Sequence, residues 1–204
     1  MRLSLKREIL PAALFLTMMI GVFHFNTVLS GKLATHFDLH GNPNGWMDKG
    51  SFFLSSAAQF LFIYLLLTFL PFIDPLRKKV ETRYGVILVF RDAALIFSNA
   101  AFFIVLYAAE AGRQRTTLPS MIIGILGLLL IVFGNYLPKV PQNWFFGIRT
   151  PWSLSSDIVW KKTNIVGGWL LMLSGIVCIV SAVLKLNSLI SLVFLFAVLI
   201  VAYI

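Results

Sequence analysis

Long apolar runs alternate with short polar breaks along this chain. Six runs are long enough, or nearly so, to cross a hydrocarbon core at about 20 residues each. They fall near Ile9–Leu29, Phe52–Phe72, Gly85–Ala108, Leu118–Leu137, Ile165–Leu184 and Leu189–Ile204. Runs such as Leu61–Phe72 and Met121–Phe133 lack the apolar–polar alternation of a membrane β-strand. Backbone groups in lipid must bond within their own segment, so the runs are helices. The pattern predicts an all-α integral membrane protein, a bundle of about six transmembrane helices. Six spans use up most of the chain, so residues 1–204 read as a single membrane domain.

Two of the polar breaks are long. The first is an outer loop at 30–51, and the second is a segment at 138–164 on the opposite side. The others are short turns, such as Asp74-Pro75-Leu76-Arg77-Lys78-Lys79 and Lys185-Leu186-Asn187-Ser188. Glycines mark the fourth run (Gly124, Gly127, Gly134) and the fifth (Gly167, Gly168, Gly175). Small residues let helix backbones meet. Packing within one bundle is the simpler use of them, and dimerisation is the other.

Composition agrees with the pattern. Of 204 residues 59% are hydrophobic, and the mean hydropathy is +0.89. The formal charge of +9 would suggest nucleic acid on a soluble domain. Here the cations cluster at helix ends, where they set topology. Eleven lie on the side of Arg2, Arg77 and Lys139, five lie opposite, and Arg91 lies inside a span. The bias predicts both termini in the cytoplasm. Anionic membrane lipids explain the charge, and no direct nucleic-acid binding is expected. The single cysteine, Cys178, falls within the fifth run and reads as packing. The basic start has the look of a signal peptide, with Val28-Leu29-Ser30 as a weak cleavage site. We read it as the first span.

The outer loop bends sharply at Gly41-Asn42-Pro43 and Asn44-Gly45. Trp46 is expected at the headgroup level, and Lys49 within reach of a phosphate or carboxylate. His24, His36 and His40 all fall on this side. His36 and His40 have the i, i+4 spacing of two ligands on one helix face. Gly41 and Pro43 oppose a helix there, so these histidines are weak metal candidates and no cofactor is expected. The plainer reading has His36 bonding the turn and His24 packed between helices. A pH-sensing role is a third reading.

Arg91 and Asp92 lie early in the third span, where ionisable groups are functional candidates by default. Arg91 stands about two turns from the helix end, at ~1.5 Å per residue, close enough to snorkel to the headgroups. Adjacent helical residues diverge, so the two need not pair. A structural role within the bundle competes with a transport or proton-relay role.

The inner segment is rich in aromatic and cationic residues. Pro138 and Pro141 halt the fourth helix. Trp144-Phe145-Phe146-Gly147-Ile148 suits the membrane interface. Arg149 is placed to stack on an aromatic ring or to fork onto a carboxylate or phosphate. Thr150-Pro151 opens an interfacial helix before the fifth span, and Ser155 or Ser156 with Asp157 opens the next.

Gly134-Asn135-Tyr136-Leu137-Pro138-Lys139, Phe146-Gly147-Ile148-Arg149-Thr150-Pro151-Trp152 and Val159-Trp160-Lys161-Lys162-Thr163 together resemble the SdpI family. That family comprises multi-span bacterial membrane proteins. The outer stretch His36-Phe37, Gly41–Trp46 and Lys49 is similar to a domain often found at the N-terminus of such proteins. Asn164 stands where the family often carries histidine. The resemblance implies a bacterial cell-membrane protein conferring immunity to a secreted, membrane-active peptide toxin. It also implies signalling, in which the toxin-loaded protein recruits a cytoplasmic repressor. His36, Gly41, Gly45, Trp46 and Lys49 would then face the toxin. Asn135, Pro138, Asn143, Phe146, Gly147, Arg149, Thr150, Pro151, Trp152 and Trp160 would form the interface motif or meet the cytoplasmic partner. A small transporter or exporter is the alternative, with Arg91, Asp92, Asn99 and His24 as its polar groups. A membrane-embedded, metal-dependent enzyme is a more remote reading, because no nucleophile–base pairing stands out.

Overall fold

The computed structural model describes residues 4–29, 31–38, 42–110, 118–186 and 193–195. Among them five helices are long and apolar enough to cross a membrane. These are α1 (Leu5–Val28), α2 (Lys49–Phe69), α4 (Tyr84–Glu110), α5 (Leu118–Tyr136) and α7 (Asp157–Val183). Two short helices, α3 (Arg77–Thr82) and α6 (Pro151–Ser155), lie between them. The expected sixth span falls outside the described residues except for 193–195.

Helix α4 occupies the middle of the arrangement. It packs on α1 and α2 along one side and on α5 along the other, and α5 packs on α7. Met18, Phe25, Phe52, Phe60, Leu95, Phe102 and Leu106 form the core between α1, α2 and α4. The Phe52 and Phe102 rings stack there at 5.8 Å. Around this core the helices expose large apolar side chains such as Leu16, Phe23, Leu54, Phe62 and Trp169. So wide an apolar surface belongs against lipid.

The α5–α7 seam is made by glycines. A Cβ on Gly127 would lie 2.6 Å from the Gly175 carbonyl oxygen, and one on Gly168 would lie 2.6 Å from that of Gly134. The two backbones therefore touch at two levels. These notches are filled from within the chain, which favours the packing reading over dimerisation at this seam.

The outer loop is more ordered than turn signals suggest. It forms an antiparallel hairpin of β1 (Lys32–Phe37) and β2 (Pro43–Asp48). Its register pairs Leu33 with Met47, Ala34 with Trp46 and His36 with Gly45, and it is irregular on either side of His36. The neighbours Leu33 and Ala34 are both buried, so β1 lacks the period-two pattern that marks a strand. Gly45 is needed for closeness: a Cβ there would fall 2.8 Å from the His36 Cβ. Gly31, at φ +85°, turns the chain from α1 into the hairpin.

Candidate functional site

Two polar networks and one exposed hairpin carry the chemistry of the described residues. The first network surrounds Arg91, which is fully buried. Its Nε donates to Asp92 Oδ1 at 2.9 Å. Its Nη1 donates to Glu8 Oε2 at 3.0 Å and to Thr68 Oγ1 at 3.3 Å. Its Nη2 donates to the Arg7 carbonyl at 2.8 Å. That carbonyl is available for a simple reason. Pro11 lies inside α1 and has no N–H to offer the residue four positions earlier. The Tyr64 hydroxyl donates to Glu8 at 3.0 Å, and the guanidinium carbon lies 5.5 Å from the Tyr64 ring centroid.

One reading of this region is corrected, and the structural role within the bundle is the one the geometry supports. Arg91 does not snorkel to the headgroups. Partners from α1 and α2 reach it inside the bundle, so its charge is met by carboxylates there instead of by phosphate. Arg91 and Asp92 do pair, because the long guanidinium folds back along its own helix to the neighbouring carboxylate. Glu8 was missed by reading a span from Ile9 onward. Pro11 and a carboxylate one turn before it were the signal.

The second network fixes the segment 138–164. Its centre is Asn143, fully buried. Asn143 Oδ1 accepts the N–H groups of Phe145 (2.8 Å) and Phe146 (2.6 Å). Its Nδ2 donates to the carbonyls of Pro141 (2.8 Å) and Phe146 (2.9 Å). One amide thus satisfies four backbone groups and replaces a turn of regular structure. Thr150 and Ser153 form a reciprocal cap at the start of α6, with Pro151 at its first position. Ser156 caps α7.

Asn164, buried on α7, accepts the Ile148 N–H at 2.9 Å and donates to the Trp160 carbonyl. The buried Trp160 indole donates to the Val140 carbonyl at 3.0 Å. Gly147, at φ +102°, passes so close that a Cβ would meet Asn164 Oδ1 at 2.7 Å. Pro138 packs on Gly168. Gln142 donates to the Ser153 and Leu154 carbonyls and accepts from Lys79 at 2.8 Å. Lys79 also pairs with Asp157 at 2.7 Å, and Asp74 Oδ2 accepts the Trp144 N–H. The turn at 74–79 is thereby tied to the segment. Sequence reading singled out neither Asp74 nor Gln142, because their partners are about 60–70 positions away.

The predicted motif residues therefore separate into two groups. Asn143, Thr150 and Trp160 are buried, and Pro138, Phe146 and Gly147 are half-buried. Asn135, Arg149, Pro151 and Trp152 are exposed, as is Trp144 beside them in the chain. Arg149 bonds the Trp144 carbonyl.

On the hairpin, Trp46 is exposed and His36 Nδ1 shares a hydrogen bond with Asn44 Oδ1 at 2.9 Å. His36 lies on a strand and not on a helix face. His40 and Gly41 fall outside the described residues. His24 is exposed on α1 beside Phe25, not packed between helices. Among the described residues no three His, Cys, Asp or Glu side chains gather as a metal-holding group. Lys49 Nζ donates to the carbonyls of Asn26 (2.7 Å) and Leu29 (2.9 Å). It satisfies the open end of α1.

Residues 139–204 match the profile of the SdpI/YfhL protein family. Residues 12–60 match a domain of unknown function, DUF1648. The chain is also 31% identical over 94 residues to "Immunity protein SdpI" of Bacillus subtilis (strain 168). By its residues 139–204 the chain is similar to the SdpI/YfhL family. With its apolar helices it is a multi-pass bacterial membrane protein. The match to the Bacillus relative covers 43% of this chain and 45% of that protein, so it reaches less than half of the relative's length. No solved structure matches the chain. The SdpI/YfhL match includes Asn143, Arg149, Thr150, Trp160 and Asn164, so the buried network is part of the family region.

Proposed function

We propose that this chain is a membrane immunity protein that protects the cell from a secreted, membrane-active peptide toxin. The likeness to the Bacillus immunity protein carries the reading, beside the family match over residues 139–204. The hairpin suits the toxin-facing role. It offers an exposed Trp46 on a short sheet held to the helix ends by Lys49. His36 and Gly45 set its register, and Gly41 belongs to the same loop. The charge bias puts this face outside, where a secreted toxin arrives.

A signalling role extends this reading. The exposed Trp144, Arg149 and Trp152 offer the surface that a cytoplasmic repressor would meet, on a segment hydrogen-bonded through Asn143 and Asn164. Binding is favoured over transport because Arg91, Glu8 and Asp92 spend their charges on one another.

Expression of the chain in toxin-sensitive Gram-positive cells tests the proposal. Survival at toxin concentrations that kill the parent strain is expected, with partial loss in Trp46→Ala. Undiminished killing at full membrane expression sinks the claim for that toxin. Toxin-dependent co-sedimentation of a repressor with membranes tests the signalling arm separately.

A further inference from the structure

The inner ends of three spans enclose a cationic cleft. Arg83 directly precedes α4, Lys139 follows α5, and Lys161 lies in the second turn of α7. Lys79 from α3 and Asp157 complete its charged lining, and the cleft holds about 550 Å³. That volume lies within the usual range for small-ligand sites, roughly 300–1,000 Å³. Four cations thus face one carboxylate, and the carboxylate is already engaged by Lys79 at 2.7 Å. Lys139 lies 4.2 Å from the centroid of the Tyr136 ring, which orients its ammonium at the end of α5. Pro138, Val140, Pro141 and Trp160 supply an apolar wall.

We propose that this cleft binds the phosphate-bearing headgroup of an anionic membrane lipid. Three observations converge on a lipid source. The cleft opens where three membrane-length helices begin or end, which is headgroup depth. Its charge is strongly one-signed, and each cation near a bilayer surface gains from anionic lipid. Its wall is apolar as well as cationic, which suits a glycerol backbone entering from the hydrocarbon side. The bound phosphate would bridge the α3–α4 turn, the end of α5 and the start of α7. The immunity reading neither requires this site nor follows from it.

The test uses the full chain in detergent, with native mass spectrometry after exchange into micelles doped with phosphatidylglycerol or phosphatidylcholine. Phosphatidylglycerol is expected to be retained at least fivefold more. Lys139→Gln/Lys161→Gln should abolish that preference, while Lys32→Gln, on β1 beyond the opposite end of α1, should keep it. Circular dichroism of each variant establishes that the helices persist. Equal retention of the two lipids by the parent chain overturns the proposal. So does an unchanged preference in the double variant. Displacement of the lipid by millimolar inorganic phosphate would assign the cleft to the free ion and overturn the lipid source.

Discussion

Arg91 and Glu8 stand 83 positions apart in the chain and meet at 3.0 Å inside the helix bundle. Arg91 is wholly buried and the Glu8 side chain is only 23% exposed. Removing one partner of such a pair leaves an uncompensated charge, at a cost of about 3–5 kcal/mol. Arg91→Met and Glu8→Gln should each lower the melting temperature of the purified protein. Arg91→Met should do so more, because it strands both Glu8 and Asp92. Arg91→Lys should rescue little, since an ammonium lacks the planar fork that reaches Asp92, Glu8 and the Arg7 carbonyl together. Wild-type melting of Arg91→Met would remove this network from the account of stability.

The glycine seam gives a graded series. Gly134→Ala and Gly168→Ala each push a methyl group into the opposing backbone, and overpacking of this kind costs about 1–3 kcal/mol. Gly124→Ala meets only the Ala182 Cβ at 3.4 Å and should be tolerated. Gly50→Ala, with open space around it in α2, should be neutral or slightly stabilising. Detergent-solubilised thermal melts of the four variants should fall in that order. Equal losses at Gly124 and Gly134 would contradict the close approach.

Asn143 makes four hydrogen bonds to the backbone of its own loop, and Asn143→Ala leaves those groups to find other partners. Each buried polar group left unsatisfied costs about 1–3 kcal/mol. Hydrogen exchange should accelerate at the amides of Phe145 and Phe146. Asn143→Asp keeps the acceptor and should protect those two amides while loosening the carbonyl contacts. Uniform exchange in the parent and Asn143→Ala proteins would count against this arrangement. Arg149→Ala, by contrast, should leave stability near wild type because the side chain is exposed. Its effect is expected in partner recruitment.

Lys49 ties the start of α2 to the last carbonyls of α1. Lys49→Met should leave the helices intact and speed amide exchange across residues 32–37 and 43–48. An unaltered exchange pattern would place the hairpin's order in its strand pairing alone.

The helices were legible because apolar length is a local property of the chain. The start of α7 at Asp157 and the cap at Thr150 were equally local, and both signals point to the observed boundaries. The hairpin was hidden because its strands are six residues each and β1 buries two neighbours on end. The Arg91 network was hidden for a different reason. Its partners come from α1 and α2, and helical periodicity says nothing about which helices become neighbours. The same limit applies to Asp74 and Gln142. Their amide and carboxylate groups look like ordinary loop polarity until the 74–79 turn is folded against residues 140–157.

Helix α4 lies between the two family-matched stretches and belongs to neither. It nevertheless touches both: β1 packs on it at one end, and Phe90 faces Phe146 at the other. Its 27 residues extend about 40 Å at 1.5 Å per residue. Pressure on the hairpin would reach the motif as a tilt or slide of α4, without any polar group changing partner.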